Sequence, residues 1–386
     1  MPVVNAARPN ARPVLLAFVL LAAALAALRL VPPYTLALLP PVVVAGEASP
    51  LVAVFAAVLA AFALGKRPRR PGLAVVALLA AAVASVPWLE ARSAARAGDA
   101  AIAALRVPPP VAIVAPTTSG SAARPRADER LVRYAAADGI PLVGRLFPSA
   151  RPGPRPTLVV LYGGAWQTGD AEQSAALHRR LAAAGYTVVA LDYRHAPAYR
   201  SPAQRDDAAR GLALVRDSAR AWGVDLARLV LWGRSSGAQL AMLAAWTDSA
   251  RGVPPVRAVV DYYGPVDLPE GYAHPPRPDP IDARAVLRAY LGGTPAEAGA
   301  RYRDASPLAH VRPGLPPTLL LYGGRDHLVE PRFGRTLAHV LAAAGDPVAY
   351  VELPWAEHGF DVATGGVGER VATALTEQFL MRVTVP

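Results

Sequence analysis

Leu229-Val230-Leu231-Trp232-Gly233-Arg234-Ser235-Ser236-Gly237-Ala238-Gln239-Leu240-Ala241-Met242 is the stretch on which the fold turns. Its four leading apolar residues predict a strand, Gly-x-Ser-x-Gly a sharp turn, and the alanine- and leucine-rich continuation a helix. In that setting Ser235 occupies a strained strand-to-helix elbow with its Oγ exposed. Side chains at Gly233 and Gly237 would collide with the crossing strand and helix. Ser236 is the poorer nucleophile candidate, because the two glycines flank Ser235 symmetrically. In a chain rich in Ala and Gly the pentapeptide alone is weak, so the ends of the other strands must decide its meaning.

Working outward, the carboxy-terminal two-thirds alternate strand and helix. Leu131–Tyr134 and Leu142–Leu146 flank Asp138-Gly139, a hairpin signal. Apolar strands are expected at Thr157–Tyr162, Thr187–Leu191, Leu229–Trp232, Ala258–Tyr262, Thr318–Tyr322 and Val348–Val351. Helices are expected to begin near Ala171, Ala203, Ser236, Pro331 and Gly368. Such alternation argues for a mostly parallel sheet flanked by helices, an α/β architecture. Active groups in these sheets lie beyond the carboxyl ends of the strands, which gives a test independent of the serine.

Three exits carry chemistry. The first delivers Tyr162-Gly163-Gly164-Ala165-Trp166, where adjacent glycines let backbone N–H groups approach a substrate oxygen. With the N–H of Ser236 they would form an oxyanion hole, so Gly163, Gly164, Ala165 and Ser236 are the candidate donors. The second delivers Gly323-Gly324-Arg325-Asp326-His327, with Asp326 the natural orienting acid and Glu330 a nearby rival. The third leads to Glu357-His358-Gly359-Phe360. Of seven histidines, His358 alone follows both serine and acid on a loop after the last strand. His327 adjoins the acid too closely along the chain. The expected catalytic set is therefore Ser235, Asp326 and His358, in the order nucleophile, acid, base.

From about Leu131 to the end, the chain resembles the acetyl esterase/lipase group of α/β-hydrolases, with its hormone-sensitive-lipase-like and feruloyl-esterase-like members. The resemblance rests on Tyr162–Trp166 with Gly169-Asp170, Asp192-Tyr193-Arg194 with Ala196-Pro197, Pro202 with Asp206-Asp207, Gly233–Gly237, Gly324–Asp326 and His358–Phe360. It implies a serine esterase without cofactor; the expected reaction is two-step acyl transfer on short or medium acyl esters through an acyl-enzyme, and no metal is expected. It places the oxyanion donors on Gly164, Ala165 and Ser236, supported by Gly163. Two departures stand out: Tyr162 where the family commonly has histidine, and Ala165 where it has a third glycine.

The first 90 residues are different. Val14–Val31 is apolar but for Arg29, Tyr34–Gly65 is interrupted at Pro40-Pro41 and Gly46-Glu47, and Leu73–Trp88 forms a third apolar run. Lengths of this order approach the roughly 30 Å of a bilayer's hydrocarbon, so residues 1–90 are expected to form about three transmembrane helices. Arg8, Arg12 and the Lys66–Arg70 cluster would lie in the cytoplasm, leaving the catalytic domain extracytoplasmic in the cell membrane. Residues 91–129 read as a linker, with Ala94–Leu105 a short helix at the membrane surface, and 130–386 as the catalytic domain. Asp267–Pro317, a long insertion before the acid strand, either covers the pocket as a partial lid or packs on the sheet edge.

Composition narrows the partners. The formal net charge is +11, yet the cations are almost all arginine, with Lys66 the only lysine, and no basic stretch is interleaved with aromatics. Nucleic acid is not an expected partner; an ester, small-molecule or lipid, and the membrane are. Absence of cysteine removes disulfides, Cys-ligated metals and a thiol nucleophile. The main alternative is a cell-envelope acyltransferase using the same three residues, with a lipid or sugar hydroxyl in place of water. Oligomeric state is not encoded.

Overall fold

A computed structural model of the protein describes residues 12–65, 69–107, 129–247 and 253–384. Arg8, Lys66 and Arg67, and the Pro- and Ser-rich stretch 108–128 of the expected linker, lie outside them. Four helices come first: α1 (Arg12–Leu28), α2 (Leu39–Glu47), α3 (Ser49–Gly65) and α4 (Pro71–Ala104). They are followed by the hairpin β1 (Arg130–Ala135) and β2 (Pro141–Phe147), then β3 (Arg155–Leu161), α5 (Ala175–Ala184), β4 (Thr187–Leu191), α6 (Ala203–Asp217) and α7 (Ala219–Trp222). Next come β5 (Val224–Arg234), α8 (Ser236–Thr247), β6 (Ala258–Tyr262), α9 (Leu268–Ala273), α10 (Ala283–Leu291) and α11 (Pro295–Asp304). The chain closes with β7 (Thr318–Gly323), α12 (Pro331–Ala343), β8 (Val348–Leu353) and α13 (Val367–Thr384).

The strands form one eight-stranded sheet of order β1-β2-β4-β3-β5-β6-β7-β8. Pairs β1–β2 and β2–β4 are antiparallel and all others parallel. Successive residues enter opposite cores: Leu158, Val160, Val230 and Trp232 join one apolar cluster, Val159, Leu161, Leu229 and Leu231 the other. Burial on both faces is why these strands read as continuous apolar runs rather than as alternating ones.

The amino-terminal region packs in the reverse sense. Its seam is alanine, including Ala22, Ala26, Ala56, Ala60, Ala77 and Ala84. Beyond Leu15, Val19, Val52 and Leu59, which join that seam, large side chains face outward: Phe18, Leu21, Leu51, Val54, Val58 and Leu79 are all more than a third exposed. Small residues let helix backbones approach closely.

Two sequence expectations need correction here. Among the described residues only α4, of 34 residues, is by itself long and apolar enough to cross a bilayer, not about three helices. The middle zone breaks into the 3-10 turn at Leu36–Leu38 with α2, and then α3, set at 65° to each other. The break falls at Ala48, where Pro50 stands in the first turn of α3 and restarts the helix, as a residue without an N–H can. Helix α1 has 17 residues. The second concerns residues 91–104: the helix expected at Ala94–Leu105 is present, but as the continuous second half of α4 and not as a separate piece of a linker.

That half of α4 docks on the α/β domain rather than lying apart from it. Ala91, Ala94 and Ile102 are buried in the same cluster as Val351, Leu375 and Phe379. At Gly98 an added Cβ would stand 2.7 Å from both methyls of Leu375 and 3.2 Å from Val351. Overpacking so close a seam costs about 1–3 kcal/mol. Gly98→Leu is therefore expected to lower the thermal midpoint of the purified protein while leaving its far-ultraviolet helix signal intact below the transition.

Candidate active site

The elbow owes its shape to two close approaches. A Cβ on Gly233 would lie 2.3 Å from the backbone of Ala238, and one on Gly237 would lie 2.3 Å from the carbonyl oxygens of Leu161 and Tyr162. Between them Ser235 is held at φ 49°, in the left-handed region that ordinary residues avoid. Its N–H donates to the Tyr262 carbonyl at 2.9 Å, which pins the turn to β6.

The three expected residues meet. Ser235 Oγ is 3.1 Å from His358 Nε2, and His358 Nδ1 is 2.7 Å from Asp326 Oδ2. Asp326 Oδ1 accepts the N–H groups of Leu328 and Val329, both at 2.8 Å, so the carboxylate is fixed before it meets the imidazole. Glu330, the rival acid, is turned to Arg332 at 2.8 Å. His327 is turned away as well, its Nδ1 on Glu357. Glu357 also accepts the N–H groups of His327 at 2.6 Å and His358 at 3.0 Å. That buried carboxylate ties the acid loop to the base loop, a role that chain order gave no means of seeing.

His358 is buried, which disfavours the imidazolium. The Asp326 charge and hydrogen bond, with Glu357 and Asp361 beyond, outweigh that cost and hold its pKa above the ordinary histidine value. As a general base His358 would have to be neutral, so activity is expected to fall as pH drops through this raised value. The acid limb of kcat/KM should accordingly lie above the roughly 6.5 of a free histidine. The same shift stabilises the fold at low pH, a contribution that fades as pH rises through the folded-state pKa. A pH–rate profile on a short p-nitrophenyl ester checks the limb; a midpoint below that of free histidine would contradict it.

The donor loop is less uniform than its sequence suggests. Gly163 donates to Gln173 Oε1 at 2.8 Å, so its N–H is engaged and unavailable to an oxyanion. The N–H groups of Gly164, Ala165 and Ser236 have no acceptor among the described residues, and all three residues line the same cavity as Ser235. Ala165 adopts φ 53°, which explains the glycine usual at this position and shows the alanine paying steric strain there. Tyr162, the other departure, hydrogen-bonds Asp192 at 2.7 Å and His195 at 2.9 Å and stacks on Tyr193. It braces the ends of β3 and β4 against each other. Trp166 stacks face to face on Tyr290 with centroids 4.1 Å apart, and its Nε1 donates to Gln239.

Behind Ser235, Arg234 is buried and its guanidinium meets Asp361 at 2.5 Å, while the Tyr263 hydroxyl donates to the other Asp361 oxygen. These contacts fasten the elbow to the loop that carries His358. The insertion also reaches the site: Leu268, Gly271, Ile281, Val286 and Leu287 form part of the wall of a cavity of about 460 Å³. Arg284 and Arg288 on it are occupied with Tyr272 and Ala273.

An eight-stranded, mostly parallel sheet with helices on both faces and a serine at a strand-to-helix elbow defines an α/β-hydrolase. Comparison with known families narrows this: the BD-FAE profile matches residues 146–341, and the chain belongs to that family. It is 33% identical over 243 residues to "Probable carboxylic ester hydrolase LipM" of Mycobacterium tuberculosis, covering 60% of this chain and 55% of that protein. It is 34% identical over 225 residues to "Esterase LipC" of the same organism, covering 55% of each. The chain thus spans about half the length of the curated relatives it matches. Among solved structures, "Bacterial Heroin Esterase" superposes with a TM-score of 0.60 at 28% identity, covering 67% of this chain and 85% of that one.

Proposed function

We propose that this protein is a membrane-anchored serine carboxylesterase that works through an acyl-enzyme. The observation that carries the reading is the hydrogen-bonded line Ser235–His358–Asp326 opening into an apolar cavity beside unengaged backbone donors. Relatives named as carboxylic ester hydrolase and esterase support it.

In the mechanism, Ser235 Oγ attacks the ester carbonyl carbon while His358 Nε2 takes the hydroxyl proton. The carbonyl oxygen, now negative, receives the N–H groups of Gly164, Ala165 and Ser236. Asp326 keeps Nδ1 protonated in the resting base and stabilises the imidazolium. When the tetrahedral centre collapses, the ester C–O bond breaks and the alcohol leaves with the proton from His358. Water, deprotonated by the same imidazole, then attacks the acyl-enzyme, releasing a carboxylic acid and restoring Ser235. Release of one acid and one alcohol from a p-nitrophenyl ester tests this. With an added alcohol acceptor, a transesterified product far above background would favour acyl transfer instead.

Anchoring is supported by the alanine seam and outward Leu, Val and Phe of α1, α3 and α4, since apolar patches of this extent on a protein surface mark a partner or a bilayer. In this reading α4 crosses the bilayer, with α1 and the bent α2–α3 pair embedded beside it. Trp88, with the Arg92 guanidinium 3.6 Å over its ring, marks where α4 leaves the hydrocarbon. Arg69 and Arg70 at its other end favour a cytoplasmic placement there, and hence a catalytic domain outside. Protease digestion of intact cells should cut the catalytic domain only if it is external.

A further inference from the structure

The wall of the active-site cavity is not built by the catalytic domain alone. Leu36, Leu39, Pro40 and Val43, from the 3-10 turn and α2, line it together with Ser235 and His358. This segment is held in place from several sides. The Glu47 carboxylate at the end of α2 accepts the N–H of Gly368 in the first turn of α13. Arg325, next to the catalytic acid, donates to the Leu30 carbonyl at 3.1 Å. Arg29 donates to the Val83 carbonyl of α4 at 3.0 Å, joining the same end of the bundle.

The rim has the character of the bundle surface. Leu36 is 55% exposed and Val362, on the His358 loop, 64% exposed, and both belong to the cavity lining. Tyr34, Leu38 and Val44 beside them are also exposed. An apolar path therefore runs from the outward face of the helices, over Leu36 and Leu39, to the nucleophile. A water-soluble short-chain ester needs no such path.

We infer that the Leu36–Val43 segment is a specificity wall of the ester site, and that the substrate is a membrane-resident ester with a long hydrocarbon chain, which enters the cavity sideways from the bilayer. This rests on the serine esterase and membrane-anchored readings above. The hydrocarbon chain lies along Leu36, Leu39 and Val43 while its carbonyl reaches Ser235. Each methylene that such a wall withdraws from water is worth about a fourfold factor in affinity. Chain length should therefore raise kcat/KM in the native protein, and changes in the wall should erase that gain.

The test uses the full chain in detergent micelles or liposomes, with p-nitrophenyl acetate and p-nitrophenyl laurate as probes. The native protein is expected to favour laurate. Leu39→Asp should lower the laurate-to-acetate ratio of kcat/KM about tenfold or more. Leu36→Ser, at a side chain already half exposed, should lower it in the same direction without threatening the fold. A further readout needs no variant: a dodecyl fluorophosphonate with a diazirine in its chain, once bound to Ser235, should photocrosslink to the peptide holding residues 36–43. An unchanged ratio in both variants, or crosslinks confined to the catalytic domain, would overturn the inference. So would a native protein that hydrolyses acetate but not laurate, which leaves the esterase reading standing. A folded protein that hydrolyses neither ester and takes no fluorophosphonate label brings down the esterase reading itself.

Discussion

Ser235→Ala is expected to lower kcat on a short p-nitrophenyl ester by about 10⁵-fold or more. The reason is chemical, since alanine offers no Oγ to form the acyl-enzyme. What remains is the contribution of the backbone donors and of substrate binding. Unfolding is not the expected cause, because Ala at φ 49° is no more strained than Ser, and the Ser235 N–H still reaches the Tyr262 carbonyl. Thermal unfolding should confirm an unchanged midpoint. Retention of more than a hundredth of the activity in a verified preparation would remove Ser235 from the nucleophile's role, leaving Ser236 to be examined.

Asp326→Asn should cost about 10⁴-fold in kcat, for a different reason. The asparagine oxygen can still take the Leu328 and Val329 N–H groups at the Oδ1 position. Its NH₂ then faces His358 Nδ1, where a donor is wrong. The imidazole must turn its lone pair to the amide and carry its proton on Nε2, so it cannot accept the Ser235 proton. With the charge gone, burial is opposed only by the weaker carboxylates of Glu357 and Asp361, and the His358 pKa should fall. The residual activity is therefore expected to have its acid limb at lower pH than the native enzyme. A loss of less than tenfold, with an unmoved limb, would mean that another group orients the histidine.

Much of the α/β domain was legible because its signals are local. Strands β4 and β6 fall where their apolar runs begin and end, and helices α6, α8 and α12 start at the expected residues. The meeting of Ser235, Asp326 and His358 was legible from chain order and strand exits, since a parallel sheet brings those exits to one edge. Contacts between sequence-distant residues were not. Nothing in the neighbourhood of Gln173 says that it will take the Gly163 N–H, and nothing near Glu357 says that it will bridge two loops. The number and breaks of the amino-terminal helices were hidden for a similar reason. Hydropathy reports that a segment is apolar, but not where Pro50 restarts a helix or that Leu39 lines one cavity with Ser235, almost 200 residues away in the chain. Continuity of α4 past Trp88 was hidden by the change from an apolar to an amphipathic pattern within one helix.

The most direct measurement is covalent. Membranes holding the full-length protein are treated with a fluorophosphonate, the protein is purified, and the modified peptide is located by mass spectrometry. One adduct per chain is expected, on Ser235, and it should be suppressed in His358→Ala. A folded protein that stays unlabelled, or carries its adduct on Ser236 or on any other residue, would contradict it.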